Sequence, residues 1–78
     1  MNTWIEIQNA LVKKYEFSDF DKAWFFLEKV AEQARKHNHH PTIENTYNKV
    51  TLTLTTHDQG NKVTQEDRDL AHSIDNII

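Results

Sequence analysis

Hydrophobic and polar residues alternate in two stretches of this chain, and they follow the spacing of a helix in two others. The first alternating stretch, residues 4–17, is rich in strand formers and is interrupted at Gln8 and Asn9. A polar pair between two apolar runs is typical of a tight turn, so this stretch predicts a β-hairpin. Because alternate side chains share one face of a strand, the residues expected to face the core are Leu11, Tyr15 and Phe17, with Lys13 as an exception.

The second alternating stretch lies in the middle of the chain. It predicts a short strand at residues 43–47 and a longer strand at residues 50–56, joined by a two-residue turn at Asn48 and Lys49. In the longer strand, aliphatic residues at even positions alternate with threonines at odd positions. The strand is therefore expected to have one buried and one polar face, and the same alternation puts His57 on the polar side.

The first helical pattern begins after residue 17. Ser18 is the predicted N-cap, and Asp19 and Asp21 lie in the first turn, where the helix dipole favours negative charge. Pro41 ends the helical region, because proline has no N–H and the residue before it avoids the helical conformation. The apolar stripe is expected to comprise Phe20, Ala23, Trp24, Leu27, Val30, Ala31 and Ala34. Phe25 lies off this stripe, and two interpretations of it stay open: chance exposure, or a surface used in assembly.

A final helix follows a loop that contains the only glycine of the chain. The helix is predicted to begin at Thr64, with Asp67 at the reciprocal position of a capping box, where Glu or Gln is usual. His72 is expected to lie on its surface. The apolar side of the helix is expected to comprise Leu70, Ala71, Ile74, Ile77 and Ile78.

The order strand, strand, helix, strand, strand, helix predicts an α+β fold. We expect a two-layer sandwich in which a four-stranded antiparallel sheet carries both helices on one face. One glycine and one proline leave no room for a flexible linker, so residues 1–78 are expected to form a single domain. A domain of this size buries only about 60% of the surface that its unfolded chain exposes, so self-association is expected.

Charge and composition exclude several classes of function. The net charge is −3, and acidic and basic residues are interspersed, which argues against direct binding of nucleic acid. The chain has no cysteine, and this excludes a disulfide scaffold and a thiolate nucleophile. No apolar run approaches the roughly 20 residues that span a bilayer, and the amino terminus does not have the pattern of a signal peptide. We therefore expect no membrane association and a cytoplasmic location.

Three of the five histidines lie in the segment HNHH, residues 37–40, directly before the proline. Imidazole titrates near neutrality and is a common metal ligand. A metal site would combine His37, His39, His40 and His57. The adjacent pair at 39 and 40 cannot easily reach one ion, however, and the spacing matches no established metal motif. We therefore predict no metal.

Two other interpretations of the histidines remain. Cationic side chains suit the C-terminus of a helix, which accounts for His37, but neighbouring cations repel each other when both are protonated. Alternatively, His39, His40 and His57 line a cleft and carry out acid–base chemistry, such as the removal of water from a carbon. The sequence has no nucleophile elbow, no phosphate-binding glycine loop and no dinucleotide fingerprint.

Four segments cover nearly the whole chain: YEFSDFDKAWFFLEKVAEQA, HNHHP, YNKVTLTLTTHD and VTQEDRDLAHSID. In order and spacing they resemble the pterin-4a-carbinolamine dehydratase family. The most specific pieces are His-His-Pro at residues 39–41 and Thr-Thr-His-Asp at residues 55–58. The resemblance implies a small α+β domain that forms homodimers or homotetramers. It also implies a cofactor-free enzyme that dehydrates 4a-hydroxytetrahydropterin, a small-molecule substrate, to the quinonoid dihydropterin.

The resemblance also implies roles for individual residues. Carried over by position, His40 and His57 are the principal acid and base, His39 assists, and Pro41 shapes the pocket. Which of the two principal histidines is the acid stays open. The residues implied to lie beside the pterin are Asn38, Thr55, Thr56 and Asp58.

Some positions depart from the family pattern. Arg35 stands where many members have an acidic residue, and Ile43 replaces an aromatic residue found in several. The loop GNKVT does not have the paired glycines usual there, and the amino-terminal helix of longer members is expected to be absent. Two further functions stay open: a protein-interaction module of the dimerisation-cofactor or transcriptional-coactivator type, and a pterin binder without turnover.

Overall fold

Strands and helices alternate in this chain as the hydrophobic pattern predicts. The computed structural model describes residues 3–77. The elements of this range are β1 (Ile5–Ile7), β2 (Ala10–Glu16), α1 (Phe20–His37), β3 (Thr42–Thr46), β4 (Lys49–Leu54), a short 3₁₀ helix (His57–Gln59) and α2 (Gln65–Asp75). The sheet has the order β1-β2-β4-β3, and each neighbouring pair is antiparallel. The predicted α+β fold is confirmed.

The β1–β2 hairpin turns where the sequence predicts. Gln8 and Asn9 have φ angles of 48° and 66°, the left-handed conformation that two-residue hairpin turns require. The turn sets a register in which Ile5 pairs with Val12 and Ile7 with Ala10. These side chains lie on the sheet face opposite the core, and both isoleucines are exposed.

The two central strands, β2 and β4, form the sheet side of the core. Val50, Leu52 and Leu54 are almost completely buried, as the alternation predicts. Lys13 is the predicted exception on the core face of β2. Its ammonium group leaves the core to contact the Asp75 carboxylate at 2.8 Å, so the charge has a partner at the end of α2.

The β3–β4 turn lies one residue earlier than predicted, at Tyr47 and Asn48. Tyr47 has a φ of 51°, and Lys49 already pairs with Thr46 in the sheet. The reason is a contact with the residue that follows β2, because the Asn48 side chain donates a hydrogen bond to the Phe17 carbonyl oxygen at 2.8 Å. The Phe17 N–H in turn donates to the Asn48 carbonyl oxygen at 2.8 Å.

Helix α1 begins one residue later than predicted. The N-cap is Asp19 and not Ser18, because the Asp19 carboxylate accepts a hydrogen bond from the Lys22 N–H at 2.8 Å. Carboxylates and hydroxyls both cap helices well, so the sequence alone leaves the two candidates nearly equal.

The buried stripe of α1 is also rotated from the predicted one. Phe26, absent from the predicted stripe, is buried, whereas Phe20 and Trp24 are 42% and 51% exposed. The Phe26 ring packs against Tyr15 and Phe17, with ring centroids 4.6 and 5.2 Å apart. These aromatic contacts with the end of β2 rotate the helix so that Phe26 faces the core and Trp24 faces outward. The buried residues of α1 are Ala23, Phe26, Leu27, Val30 and Ala34.

Helix α2 completes the core and begins as predicted. Thr64 is its N-cap and forms a capping box with Asp67. Leu70, Ala71 and Ile74 are buried, whereas Ile78 lies outside the described residues. Within residues 3–77, neither helix combines the length and apolar character needed to cross a membrane.

Candidate active site

The turn after α1 directs the histidine segment away from the helix. Asn38 ends the helix in the left-handed conformation, with φ 49° and ψ 42°. The His39 N–H donates to the Ala34 carbonyl oxygen at 3.1 Å, which closes the last helical turn. Asparagine tolerates this conformation better than most residues, and the chain can therefore reverse within one residue. His39, His40 and Pro41 consequently form the link between α1 and β3.

His57 approaches from the end of β4. This strand ends at Leu54, two residues before the predicted end, because the Thr56 N–H turns to the Lys62 carbonyl oxygen at 3.0 Å. This contact is part of an antiparallel bridge between Thr56 and Lys62 that closes the base of a loop. His57 opens the loop and is exposed, as expected for a residue outside the core.

These two segments form the walls of a cleft of about 220 Å³. The residues that line it are Asn38, His39, His40, Thr55, Thr56, His57, Asp58 and Glu66. Seven of the eight residues implied by the resemblance therefore come together, and Pro41 lies beside the cleft in the chain but outside its lining. A larger concavity of about 630 Å³ involves β2, β3 and β4, but its lining has no histidine. The chemistry therefore favours the smaller cleft.

A buried carboxylate orients His39. The Nε2 atom of His39 lies 2.5 Å from Oδ1 of Asp67, whose side chain is 0% exposed. The second oxygen of Asp67 accepts hydrogen bonds from the Thr56 hydroxyl at 2.8 Å and from the Thr64 N–H at 2.9 Å. A carboxylate can only accept, so Nε2 of His39 is the donor and Nδ1 is the ring nitrogen left for other contacts.

The environment of Asp67 keeps its carboxylate charged. Burial by itself raises the pKa of Asp67, but hydrogen bonds from His39, Thr64 and Thr56, together with the charge of His39, outweigh burial. The pKa therefore lies below its ordinary value of 3.8. A charged Asp67 accepts the hydrogen bond from Nε2 of His39 and so fixes the orientation of that ring.

Glu66 and Asp67 are site residues that the sequence analysis did not identify. Oε2 of Glu66 lies 3.7 Å from Nδ1 of His39, on the open side of the cleft. For Asp67 the sequence holds one signal, since an aspartate replaces the usual Glu or Gln of the capping box. Its second contact, with a histidine 28 positions away, depends on the packing of α2 against the link after α1.

His37 and His57 have partners of different kinds. Nε2 of His37 lies 2.7 Å from the Ser73 hydroxyl, which joins the end of α1 to α2 and agrees with a structural role. Nδ1 of His57 lies 2.7 Å from Oδ1 of Asn61, another residue that the sequence analysis did not identify. His40 lines the cleft and is exposed.

The remaining cleft residues are held by the sheet and its loops. The Thr55 hydroxyl donates to the Asn9 carbonyl oxygen at 2.8 Å, which joins the cleft to the β1–β2 turn. Thr56 is buried, and its hydroxyl also lies 2.7 Å from that of Thr64. Among residues 3–77, histidines and carboxylates form no group of three suited to a metal ion.

Comparisons with known proteins place the whole described chain in one family. The family model described as Pterin 4 alpha carbinolamine dehydratase matches residues 1–77. A relative from Picosynechococcus sp., named "Putative pterin-4-alpha-carbinolamine dehydratase", is 43% identical over 74 residues, which are 95% of this chain and 79% of the relative.

Solved structures extend the comparison to the fold. A crystal structure described as a transcriptional coactivator/pterin dehydratase from Brucella melitensis has a TM-score of 0.88 and 34% identity, and the match covers 95% of this chain and 80% of that chain. A pterin dehydratase-like protein, identified as a RuBisCO assembly factor in the alpha-carboxysome, has a TM-score of 0.75 and 20% identity over 96% of this chain and 86% of that chain. The second likeness shows the fold alone.

Proposed function

This chain belongs to the pterin 4 alpha carbinolamine dehydratase family, and on that premise we propose that it removes water from a 4a-hydroxytetrahydropterin to give the quinonoid dihydropterin. The observation that carries the proposal is the cleft in which His39, His40 and His57 lie together. Three imidazoles in one cleft suit a reaction that consists of proton transfers.

The dehydration needs one acid and one base. The hydroxyl on C4a gains a proton from the acid and leaves as water when its C–O bond breaks. A neighbouring ring N–H gives its proton to the base, and its electron pair forms the new C=N bond. The acid and base regain their starting states by proton exchange with water, so the reaction consumes no other reactant.

The cleft residues divide into those that transfer protons and those that hold the ring. We propose that His40 and His57 are the acid and the base, in either order. We assign an assisting role to His39, which Asp67 orients. The residues proposed to contact the pterin are Asn38, Thr55 and Asp58. Thr56 lines the cleft too, but its hydroxyl contacts Asp67 and Thr64, so we propose that it supports His39.

The test is the rate at which freshly generated 4a-hydroxytetrahydropterin loses water with and without the protein. We expect a clear acceleration over the spontaneous rate at neutral pH. Binding of a stable pterin without acceleration would instead identify a pterin binder without turnover. Absence of both binding and acceleration would contradict the proposal.

We further propose that the protein acts in the cytoplasm.

A second candidate function is protein interaction through the outer face of α1. Trp24 is 51% exposed and Phe25 is 61% exposed, and large aromatic side chains at a surface are typical of interaction sites. The Brucella melitensis structure, described as both a coactivator and a dehydratase, supports the same candidate. Substitution of Phe25 separates the two functions, because this residue lies outside the lining of the cleft.

A further inference from the structure

The contact between His57 and Asn61 determines which nitrogen of the imidazole is free. Oδ1 of Asn61 lies 2.7 Å from Nδ1 of His57. An amide oxygen can only accept a hydrogen bond, so Nδ1 carries the proton. A neutral imidazole has one protonated and one unprotonated nitrogen, and Nε2 is therefore the one that holds a lone pair.

The loop that carries both residues holds this contact in place. The Gly60 N–H donates to the His57 carbonyl oxygen at 3.0 Å, and the Thr56–Lys62 bridge closes the loop at its base. Gly60 and Asn61 both adopt the left-handed conformation, with φ angles of 76° and 57°. Two successive left-handed residues turn the backbone so that the Asn61 side chain returns to the ring of His57.

The backbone conformation makes an asparagine at this position informative. At a φ of 57° glycine is the least strained residue, so the asparagine side chain is not required by the turn itself. What the asparagine side chain adds at this position is the hydrogen bond to His57. The neighbouring loop residue, Gly60, supplies the other left-handed position without a side chain.

We propose that Asn61 is a positioning residue that holds neutral His57 as the Nδ1–H tautomer, so that Nε2 accepts the proton that the pterin N–H loses. The inference rests on the proposed function, because it assigns the base of that reaction. His40 is then the acid that protonates the departing hydroxyl. The proton passes from the substrate nitrogen to Nε2 and from there to water.

Two substitutions at residue 61 separate the side chain from the backbone. Asn61→Gly keeps the left-handed conformation and removes the acceptor, whereas Asn61→Asp keeps an acceptor at the same place. The matched control is Gln8→Gly, which also replaces a left-handed turn residue, at φ 48°, but outside the cleft. Circular dichroism and thermal unfolding establish that each variant is folded.

The first readout is independent of turnover. Nitrogen-15 spectra of the histidine rings distinguish a protonated from an unprotonated ring nitrogen, and a His57→Gln variant identifies the signals of this residue. In the wild type, with neutral imidazoles, we expect His57 to have a proton on Nδ1. In Asn61→Gly we expect a shift towards the Nε2–H form. A wild-type His57 in the Nε2–H form, or an unchanged ratio of the two forms in Asn61→Gly, overturns the proposal.

The second readout is the rate of dehydration. We expect Asn61→Gly to lower kcat about 10-fold, by analogy with the lower end of the losses seen when a partner that orients a metal-bound histidine is removed, and a loss below about twofold overturns the proposal. Asn61→Asp should retain activity within about threefold of the wild type, because a carboxylate also accepts from Nδ1–H. Gln8→Gly should leave the rate unchanged.

The pH profile of Asn61→Asp supplies a signature that a purely structural role does not give. A carboxylate beside the ring stabilises the imidazolium, so the acid limb of the profile should move to higher pH. Asp58, Glu66, His39 and His40 also border the cleft and are the same in both proteins, so the difference isolates residue 61. If the wild type does not accelerate dehydration, the proposed function fails, whereas the nitrogen spectra alone still decide whether Asn61 sets the tautomer.

Discussion

Asp67 performs two tasks with one side chain. As part of a capping box its Oδ2 accepts from the Thr64 N–H, and its Oδ1 contacts Nε2 of His39 at the same time. A carboxylate has acceptor positions on both oxygens, so neither contact excludes the other. The start of α2 and the orientation of a cleft histidine therefore depend on the same buried residue.

The proposed acid and base should be far more sensitive to substitution than other histidines. We expect His40→Ala and His57→Ala each to lower kcat about 100- to 10,000-fold, the usual contribution of a positioned acid or base, while the protein stays folded. His72→Ala is the control, because His72 is exposed on α2 and lies outside the cleft. Losses below about threefold in both variants lie far under that range and would rule out the mechanism.

Removal of the charge at residue 67 should destabilise the fold in a pH-dependent way. Asp67→Asn loses one acceptor of a buried hydrogen-bonded group, and we expect the free energy of unfolding to fall by about 2 kcal/mol at neutral pH. The folded-state pKa of Asp67 is below 3.8, so its charge contributes stability above that value. The contribution disappears as pH falls through the lower, folded-state pKa.

Urea unfolding at several pH values measures this effect. The difference between wild type and Asp67→Asn should be largest near neutrality and should shrink below about pH 4, where the unfolded carboxyl becomes protonated. Asp69→Asn is the matched control, because Asp69 is an exposed residue of the same helix. A difference that does not depend on pH would show that the charge of Asp67 contributes nothing.

At the scale of the elements, α1 connects the core to the cleft. Its first turn is fixed by the Asp19 carboxylate, and its last turn ends in the left-handed Asn38 that directs the histidine segment outward. Between these ends, Phe26 sets the rotation of the helix against β2. A different rotation of the helix would move Asn38. The position of this cleft wall therefore depends on core contacts that lie far from the cleft.

The cap of α1 gives a direct test at this scale. We expect Asp19→Ala to lower the free energy of unfolding by about 1 kcal/mol, because the Lys22 N–H loses its acceptor. The control is Ser18→Ala, for which we expect a change within about 0.5 kcal/mol. Thermal and urea unfolding measure both. A larger loss in Ser18→Ala than in Asp19→Ala would place the cap at Ser18 after all.

At the scale of the whole molecule, an apolar surface on α1 remains exposed in this small protein. Phe20 and Trp24 stack with ring centroids 6.1 Å apart, and the Lys29 ammonium lies 4.9 Å from the centroid of Phe25. A fold of this size buries a modest fraction of its surface, so burial of these rings between copies would add stability. We therefore expect association through this face.

Sedimentation measures that association. We expect the wild type to form a homodimer or homotetramer and Phe25→Glu to shift the equilibrium towards the monomer, because a buried charge opposes the contact. Gln8→Glu adds the same charge at an exposed turn outside α1 and should leave the oligomer unchanged. An oligomer that is unaffected by Phe25→Glu would show that this face is not the interface.

Patterns within a few residues of each other were sufficient to predict most of the fold. The alternation along β4, the turn at Gln8 and Asn9 and the capping box at Thr64 are all decided by neighbours in sequence, and the structure has each of them. The sequence also indicated where the cleft histidines lie, because His39 and His40 are adjacent, His57 follows the predicted strand, and all three match a family motif. Local hydrogen bonding and hydrophobic periodicity do not depend on distant contacts.

The sequence by itself thus determined the order of the elements and the residue types of the cleft, whereas tertiary packing decided which residues support them. Phe26 replaces Trp24 in the core because the aromatic end of β2 lies against it. Asp67 reaches His39 across 28 positions because α2 packs beside the link that follows α1. Both contacts are stabilised only when segments distant in sequence meet in three dimensions. The hydrophobic periodicity along the chain therefore does not predict them.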